Sequence, residues 1–270
     1  MFIREAAPTP PLSIAALRLL LAGGVLSAVL AHRVRRLPPG PVLLGGALYA
    51  VHFGTWIASL WLTSLAASTT LVTASPLFLA LHGAFTGRDR PDVRLWIALA
   101  FAMAGAGAIA LGGAPGVPAA IPWLGNTLAT VGAVAMAGWL LLCRRLGPEL
   151  DAPAFSAAAA LVGGLGLAAL ALARGDSLLP VSVESFAWIA LAALVPQLLG
   201  HTLITWSLRY TTPTVVGLLT LGEPVVTTFL GAWLYGEAPG SLVLGGCALT
   251  LAGVVWTLFS GRSRAESHRT

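Results

Sequence analysis

The sequence predicts an all-α polytopic membrane protein, and three observations carry that prediction. The chain of 270 residues is 57% hydrophobic and only 9% charged, with a mean hydropathy of +0.87, a composition suited to lipid rather than water. Its apolar residues fall into runs of roughly 18 to 24, the length that crosses a bilayer as a helix. The runs are separated by short breaks carrying Pro, Gly or Arg, so there is no room for a soluble catalytic or nucleotide-binding domain.

Nine spans are predicted in order. Leu12 to Ala31 follows the Pro-rich stretch Pro8 to Pro11 and holds Arg18; Pro41 to Trp61 holds His52 and Trp56. Ala66 to Thr86 contains Pro76, and Val93 to Leu111 contains the small-residue run Ala104-Gly105-Ala106-Gly107. Ile121 to Cys143 ends on Arg144 and Arg145, and Ala154 to Ala173 carries Gly163-Gly164. Phe186 to Leu208 holds His201 and Trp206, Pro213 to Tyr235 holds Glu223 and Pro224, and Ser241 to Ser260 carries Gly245-Gly246. Small residues at these places let helices approach closely and move against each other.

Charge orients the spans. All fifteen basic residues are arginine, which excludes any chemistry needing a lysine. Twelve follow odd-numbered spans: Arg33, Arg35 and Arg36; Arg88, Arg90 and Arg94; Arg144 and Arg145; Arg209; Arg262, Arg264 and Arg269. Short cytoplasmic loops carry the excess of positive charge, so these ends and the C-terminus are assigned to the cytoplasm. Nine spans then put Met1 on the outer side with no signal to carry it there. The segment from Leu12 does not read as a signal peptide, because its positive cluster follows the apolar run. Met1 to Glu5 reads as the tail of a further helix.

An internal repeat points the same way. A shift of 148 residues lays Ser59 to Ala110 on Ser207 to Leu258 without a gap, with eleven identities in fifty-two positions. Pro76 falls on Pro224, Gly83 on Gly231, Asp89 on Glu237, Pro91 on Pro239 and Gly105 on Gly253. Units with an odd number of spans are inverted in the membrane, as in many secondary transporters. The units read as residues 1–112, residues 121–260 and a cytoplasmic tail of residues 261–270. They hold four and five spans, from a plan of five and five.

Within these spans a few residues break the apolar pattern. Glu223 is the one ionisable side chain between Pro213 and Tyr235, and a carboxylate at that depth is costly. Pro224 beside it deletes a helical hydrogen bond, so backbone carbonyls are freed at the same level. Glu223 either binds a cationic solute group or carries a proton as a cavity alternates, or else is a structural carboxyl. Ser75 is its counterpart in the first unit, so one acid serves both. Arg18 inside the first span either snorkels to the outer surface, forms an ion pair, or recognises an anionic solute. His52 and Trp56 lie one turn apart and share a face, whereas His201 and Trp206 are five apart. Such a lining suits an amphipathic or cationic solute, while each histidine alone is as compatible with helix packing. The threonines around the two prolines suit back-bonding to helix carbonyls. His82, Asn126 and Gln197 are further polar residues within spans, and Trp61, Trp123, Trp188 and Trp256 read as interfacial belt residues. Asp89 and Glu237 read as structural caps or loop contacts. Cys143 and Cys247 read as packing residues, with no spacing for a metal and no cofactor motif.

The segment EPVVTTFLGAWLYGEAPGSLVLGGCALTLAGVVW, Glu223 to Trp256, resembles the EamA branch of the drug/metabolite transporter superfamily. So do Gly200 to Pro224 and its first-half echo, His52 to Pro76, and the similarity covers essentially the whole chain. The resemblance implies ten helices in two inverted five-helix repeats, both termini cytoplasmic, with a central cavity for small metabolites. Pro8 to Gly23 resembles the second helix of that plan, so the first is missing apart from its end; a start codon assigned too late is the preferred explanation, with a fragment or a real nine-helix protein as the alternatives. The family's first-half Gly-Glu is replaced by Gly87-Arg88-Asp89.

The function expected is therefore a secondary active transporter of a small metabolite, amino acid or drug-like solute in the cytoplasmic membrane. It is expected to work by alternating access, as an exporter, with proton coupling and homodimerisation both open and no nucleic-acid partner. An integral-membrane enzyme is disfavoured, since there is no DxxD, HxxxH or CxxC cluster. A non-transporting scaffold or sensor is the remaining alternative.

Overall fold

The computed structural model describes residues 2–112, 120–235 and 238–267, and the elements found there are helical. They are α1 (Phe2–Glu5), α2 (Pro11–Val29), α3 (Ala31–Val34), α4 (Pro39–Ser59), α5 (Leu65–Val72), α6 (Ser75–Thr86) and α7 (Val93–Gly112). Then come α8 (Pro122–Leu146), α9 (Ala152–Ala173), α10 (Val183–Ala192), a π-helical segment (Ala193–His201) and α11 (Thr202–Ser207). The last three are α12 (Pro213–Thr220), α13 (Glu223–Tyr235) and α14 (Ser241–Ser267). Among the described residues eight helical stretches are long and apolar enough to cross a bilayer, and Ser241–Thr257 adds a shorter one. The protein is a multi-pass membrane protein. Its contacts divide it into two compact units, each mixing segments from both halves of the sequence.

The first unit comprises Met1–Trp61 and Val134–Thr211. Its helices start where the sequence supplies a cap or a proline in the first turn: Pro11 for α2, Pro39 for α4, Asp151 for α9 and Ser182 for α10. Small residues seat α2 against α9. A Cβ on Gly23 would lie 2.8 Å from Leu161 N, and one on Gly164 would lie 3.0 Å from Leu20 N, so neither position has room for a side chain. The interior is aromatic, with Tyr49 stacked on Trp139 at 3.9 Å and Trp139 on Phe155 at 5.2 Å. Trp139 Nε1 donates to Thr205 Oγ1 at 3.2 Å, so the buried indole keeps a partner.

The connections of this unit sort to two ends as the charge pattern predicts. At one end Arg33 forks onto the Asp151 carboxylate, and Arg209 donates to the Leu150 carbonyl at 2.6 Å. The connections after the first, fifth and seventh spans therefore meet. At the other end Ser13 donates to the Ser177 carbonyl at 2.7 Å and Val181 N donates to Thr9 Oγ1 at 3.3 Å.

The second unit, Leu62–Ala133 and Thr212–Thr270, carries the repeat in its element boundaries. Helices α5, α6 and α7 begin at 65, 75 and 93, and α12, α13 and α14 at 213, 223 and 241, each a shift of 148. The caps repeat too: Ser64 accepts from Ala67 N at 3.1 Å and Thr212 from Val215 N at 3.4 Å. Both proline-bearing spans are thus broken. Where the sequence predicts single spans Ala66 to Thr86 and Pro213 to Tyr235, the chain makes two short helices with a turn at Thr73-Ala74 or Leu221-Gly222. The amide missing from Pro76 and Pro224 is tolerated because each lies in the first turn of a new helix.

Two other boundaries differ from the sequence reading. The seventh span begins at Val183 and passes through the π-helical segment, which surrounds Pro196; a proline ring clashes with the carbonyl four residues back, and a wider turn relieves that clash. Helix α14 continues to Ser267, past the predicted tail boundary at 261. The cap of α7 is Asp92, whose carboxylate accepts from Leu95 N at 2.9 Å; Asp89 sits in the preceding loop at φ +49°. Glu237 lies outside the described residues.

Candidate functional site

Helix α4 presents Tyr49, His52, Phe53 and Trp56 at spacings of three and four residues, so all four rings lie along one face. His52 stacks near Trp56 with centroids 6.1 Å apart, and Phe53 meets His52 edge-on at 4.5 Å. Arg18 comes to the same place from α2, its guanidinium 4.6 Å from the Phe53 centroid and 5.6 Å from that of Trp56. It is 1% exposed, so it is enclosed and does not snorkel. The aromatic faces supply a quadrupole that favours the cation where water is absent.

The π-helical segment closes this group. His201 sits 5.0 Å from Phe53, 6.1 Å from Tyr49 and 6.2 Å from His52, centroid to centroid. Four residues earlier, Gln197 is 3% exposed. Buried polar atoms of these residues without a hydrogen-bond partner among the described residues include Trp56 Nε1, Gln197 Oε1 and His201 Nδ1. Leaving such atoms unpaired inside the protein costs about 1–3 kcal/mol each.

Of the residues singled out in the sequence, the structure brings together Arg18, His52, Trp56 and His201. It does not bring Trp206, which is 41% exposed and pairs with Tyr210 at 4.9 Å. The five-residue spacing from His201 turns it to another face. Gln197, which the sequence leaves without a task, is buried about one turn before His201 in the π-helical segment. Tyr49 and Phe53 were missed, although their three-and-four spacing with His52 and Trp56 was the available signal.

Glu223, Pro76 and Pro224 belong to the second unit. Glu223 is the first residue of α13 and is exposed. A helix N-terminus is a position that favours a carboxylate through its amides and dipole. Thr227 and Thr228 donate to the carbonyls of Glu223 and Pro224, both at 2.8 Å, as back-bonding threonines do. Pro76 packs under α12, where a Cβ on Gly217 would lie 3.3 Å from its ring. Asn126 accepts from Thr63 at 2.8 Å and is a latch between segments, while His82 is exposed. Cys143 and Cys247 are buried free thiols, and among the described residues no group of His, Cys, Asp or Glu could hold a metal.

No curated protein matches the chain. A solved structure, described only as a crystal structure of a protein, matches it with a TM-score of 0.81 at 21% identity, covering 97% of this chain and 92% of its own. That likeness gives the fold. The model of the EamA-like transporter family matches residues 1–111 and again residues 123–259, one copy for each half of the sequence. With both halves matched, and with helix breaks recurring at the same interval, the chain belongs to the EamA-like transporter family.

Proposed function

We propose that the protein is a secondary active transporter that moves a small metabolite, amino acid or drug-like solute across the cytoplasmic membrane by alternating access, as an exporter. The observation that carries this reading is the pair of discontinuous spans with matched breaks, Thr73-Ala74 and Leu221-Gly222. Irregular backbone at membrane depth is tolerated where it lines a cavity, and broken helices in repeated halves are a recurrent way of building a solute site. The enclosed group of Arg18, His52, Trp56, Gln197 and His201 supports the same reading, because it offers a fixed charge and unpaired donors and acceptors to a polar solute. Glu223 is the coupling residue in this account, and a proton is its cargo. The sequence halves, residues 1–112 and 121–260, act as the two repeats, and the arginine-rich ends and the C-terminus face the cytoplasm.

The test is flux. The full chain is reconstituted in liposomes and counterflow is measured with a radiolabelled panel of amino acids and cationic drugs. Saturable, protein-dependent flux of at least one solute is the expected result. A correctly inserted, monodisperse protein without flux for any member of the panel, and without a growth phenotype on overexpression against the same compounds, favours the scaffold reading.

A further inference from the structure

The end of the first unit where Arg33, Asp151, Leu150 and Arg209 meet also holds a small hollow. Its wall is formed by Arg144 from the last turn of α8, Gly147, Pro148 and Leu150 from the following loop, and Thr205 and Arg209 from the end of α11. Two arginines thus flank one opening. The same end carries Arg33, Arg35, Arg36 and Arg145, against the acids Glu149 and Asp151, and Asp151 is engaged by Arg33.

A second feature leads to this hollow. Along the outer face of the π-helical segment and α11, Leu199 is 54% exposed, Leu203 60% and Trp206 41%, and Tyr210 beyond them is 72% exposed. The spacing of three and four residues makes them a continuous apolar strip. Trp206 and Tyr210, edge-on at 4.9 Å, end the strip at the level of Arg209 with rings suited to the membrane interface.

We propose that this end of the first unit is a docking site for an anionic phospholipid. The headgroup phosphate sits between Arg144 and Arg209, and an acyl chain lies along Leu199, Leu203 and Trp206. The charge selects the headgroup, since a planar guanidinium presents several donors to phosphate oxygens and each basic residue near an anionic surface contributes favourably. The strip selects a lipid over a free anion, which has nothing to lay there.

The experiment is native mass spectrometry of the purified full chain in detergent with equimolar dioleoylphosphatidylglycerol and dioleoylphosphatidylcholine. The wild type is expected to retain the anionic lipid roughly tenfold over the zwitterionic one. The Arg144→Gln/Arg209→Gln variant is expected to lose most of that preference, and Arg35→Gln/Arg36→Gln, at the same end but outside the hollow, to keep it. Equal retention of the two lipids by the wild type overturns the proposal, as does equal loss in both variants, which would mean a diffuse charge effect. Displacement of the lipid by millimolar inorganic phosphate assigns the hollow to a free anion and also overturns it. Arg209 braces the Leu150 carbonyl, so the single Arg144→Gln variant, which leaves that brace intact, decides the matter if the double variant fails to fold: an undiminished preference in it refutes the site. Leu203→Asn is expected to weaken retention with both arginines present, and unchanged retention counts against the acyl strip.

Discussion

Gly105 and Gly253 occupy equivalent places on two helices that pack against each other through the repeat. A Cβ on Gly105 would run into Thr250 N and lie 2.6 Å from the Gly246 carbonyl; one on Gly253 would lie 2.7 Å from Ala102 N and 2.5 Å from the Ala98 carbonyl. Residues 98 and 102 become 246 and 250 under the shift of 148, so each glycine receives the other helix at the same two positions. Helices α7 and α14 are therefore related by a local two-fold. Between lipid-soluble helices, close backbone approach replaces the hydrophobic effect as the source of attraction.

Gly105→Ala and Gly253→Ala are accordingly expected to destabilise the protein by about 1–3 kcal/mol each, because backbone atoms, not side-chain tips, must move. Gly107→Ala and Gly245→Ala meet nothing within 4 Å and are expected to stay within about 0.5 kcal/mol of wild type. Unfolding in mixed micelles at increasing SDS distinguishes the two pairs. A loss at Gly107 as large as at Gly105 would refute the contact argument.

Asp151 holds two partners at once, the Arg33 guanidinium and the Ala154 amide, to which it is the cap of α9 at 3.2 Å. Arg33 is half exposed, so the ion pair contributes little, on the order of 0–1 kcal/mol. Asp151→Asn retains the cap and is expected to cost less than about 1 kcal/mol, while Asp151→Ala loses both and is expected to cost about 1–2 kcal/mol. Raising the salt concentration is expected to narrow the gap between wild type and Asp151→Asn.

Thr205 is the hinge of a small buried chain of hydrogen bonds. Its hydroxyl accepts from Trp139 at 3.2 Å and from Ser156 at 3.4 Å, and donates to the His201 carbonyl at 2.9 Å. Thr205→Val keeps the shape and strands the Trp139 indole N–H, with an expected cost of about 1–3 kcal/mol. The indole fluorescence is expected to shift with it. Thr205→Ser, which keeps the hydroxyl, is expected to restore most of the loss.

The spans, their order and the place of the helix breaks were legible because each rests on one-dimensional signals: apolar run length, proline, and recurrence at a fixed interval. The matched starts of α5 and α12 rest on the caps Ser64 and Thr212, a signal the sequence holds but the span from Ala66 overlooks. The site was legible only in part. His52 and Trp56 share a face by simple α-helical spacing, so their proximity could be read. Trp206 lies in regular α-helix after the π-helical segment, so its five-residue spacing from His201 was itself the signal that it turns to another face. Gln197 lacked a sequence signal because it lies inside the π-helical segment around Pro196, whose angular advance per residue no α-helical wheel predicts. Arg18 was read with three open roles, and what decided against snorkelling was the pair of rings from α4, a contact between helices that sequence spacing does not encode.

Glu223→Gln is expected to keep the fold and flatten the pH dependence of flux, with the rate reduced by at least tenfold if proton release from this carboxylate is part of the cycle. The amide keeps the size of the side chain at the start of α13 and loses the charge. Counterflow, which needs no net proton movement, is expected to suffer less than uphill transport. Equal loss in both modes would make Glu223 a solute ligand and not a coupling residue.

Trp56→Phe separates binding from folding. The indole N–H of Trp56 is buried with no acceptor among the described residues, so its removal deprives the protein of no hydrogen bond and relieves an unpaired donor. The melting temperature is therefore expected to hold or rise slightly. If the solute supplies the missing acceptor, the apparent KM for the transported compound rises about fivefold to a hundredfold, equivalent to about 1–3 kcal/mol, with the maximal rate little changed. Gln197→Met is the matching test for an acceptor, at Oε1, and the two effects are expected to be less than additive if both groups meet the same solute. A fall in melting temperature with an unchanged KM would mean that the ring cluster around Arg18 is packing alone.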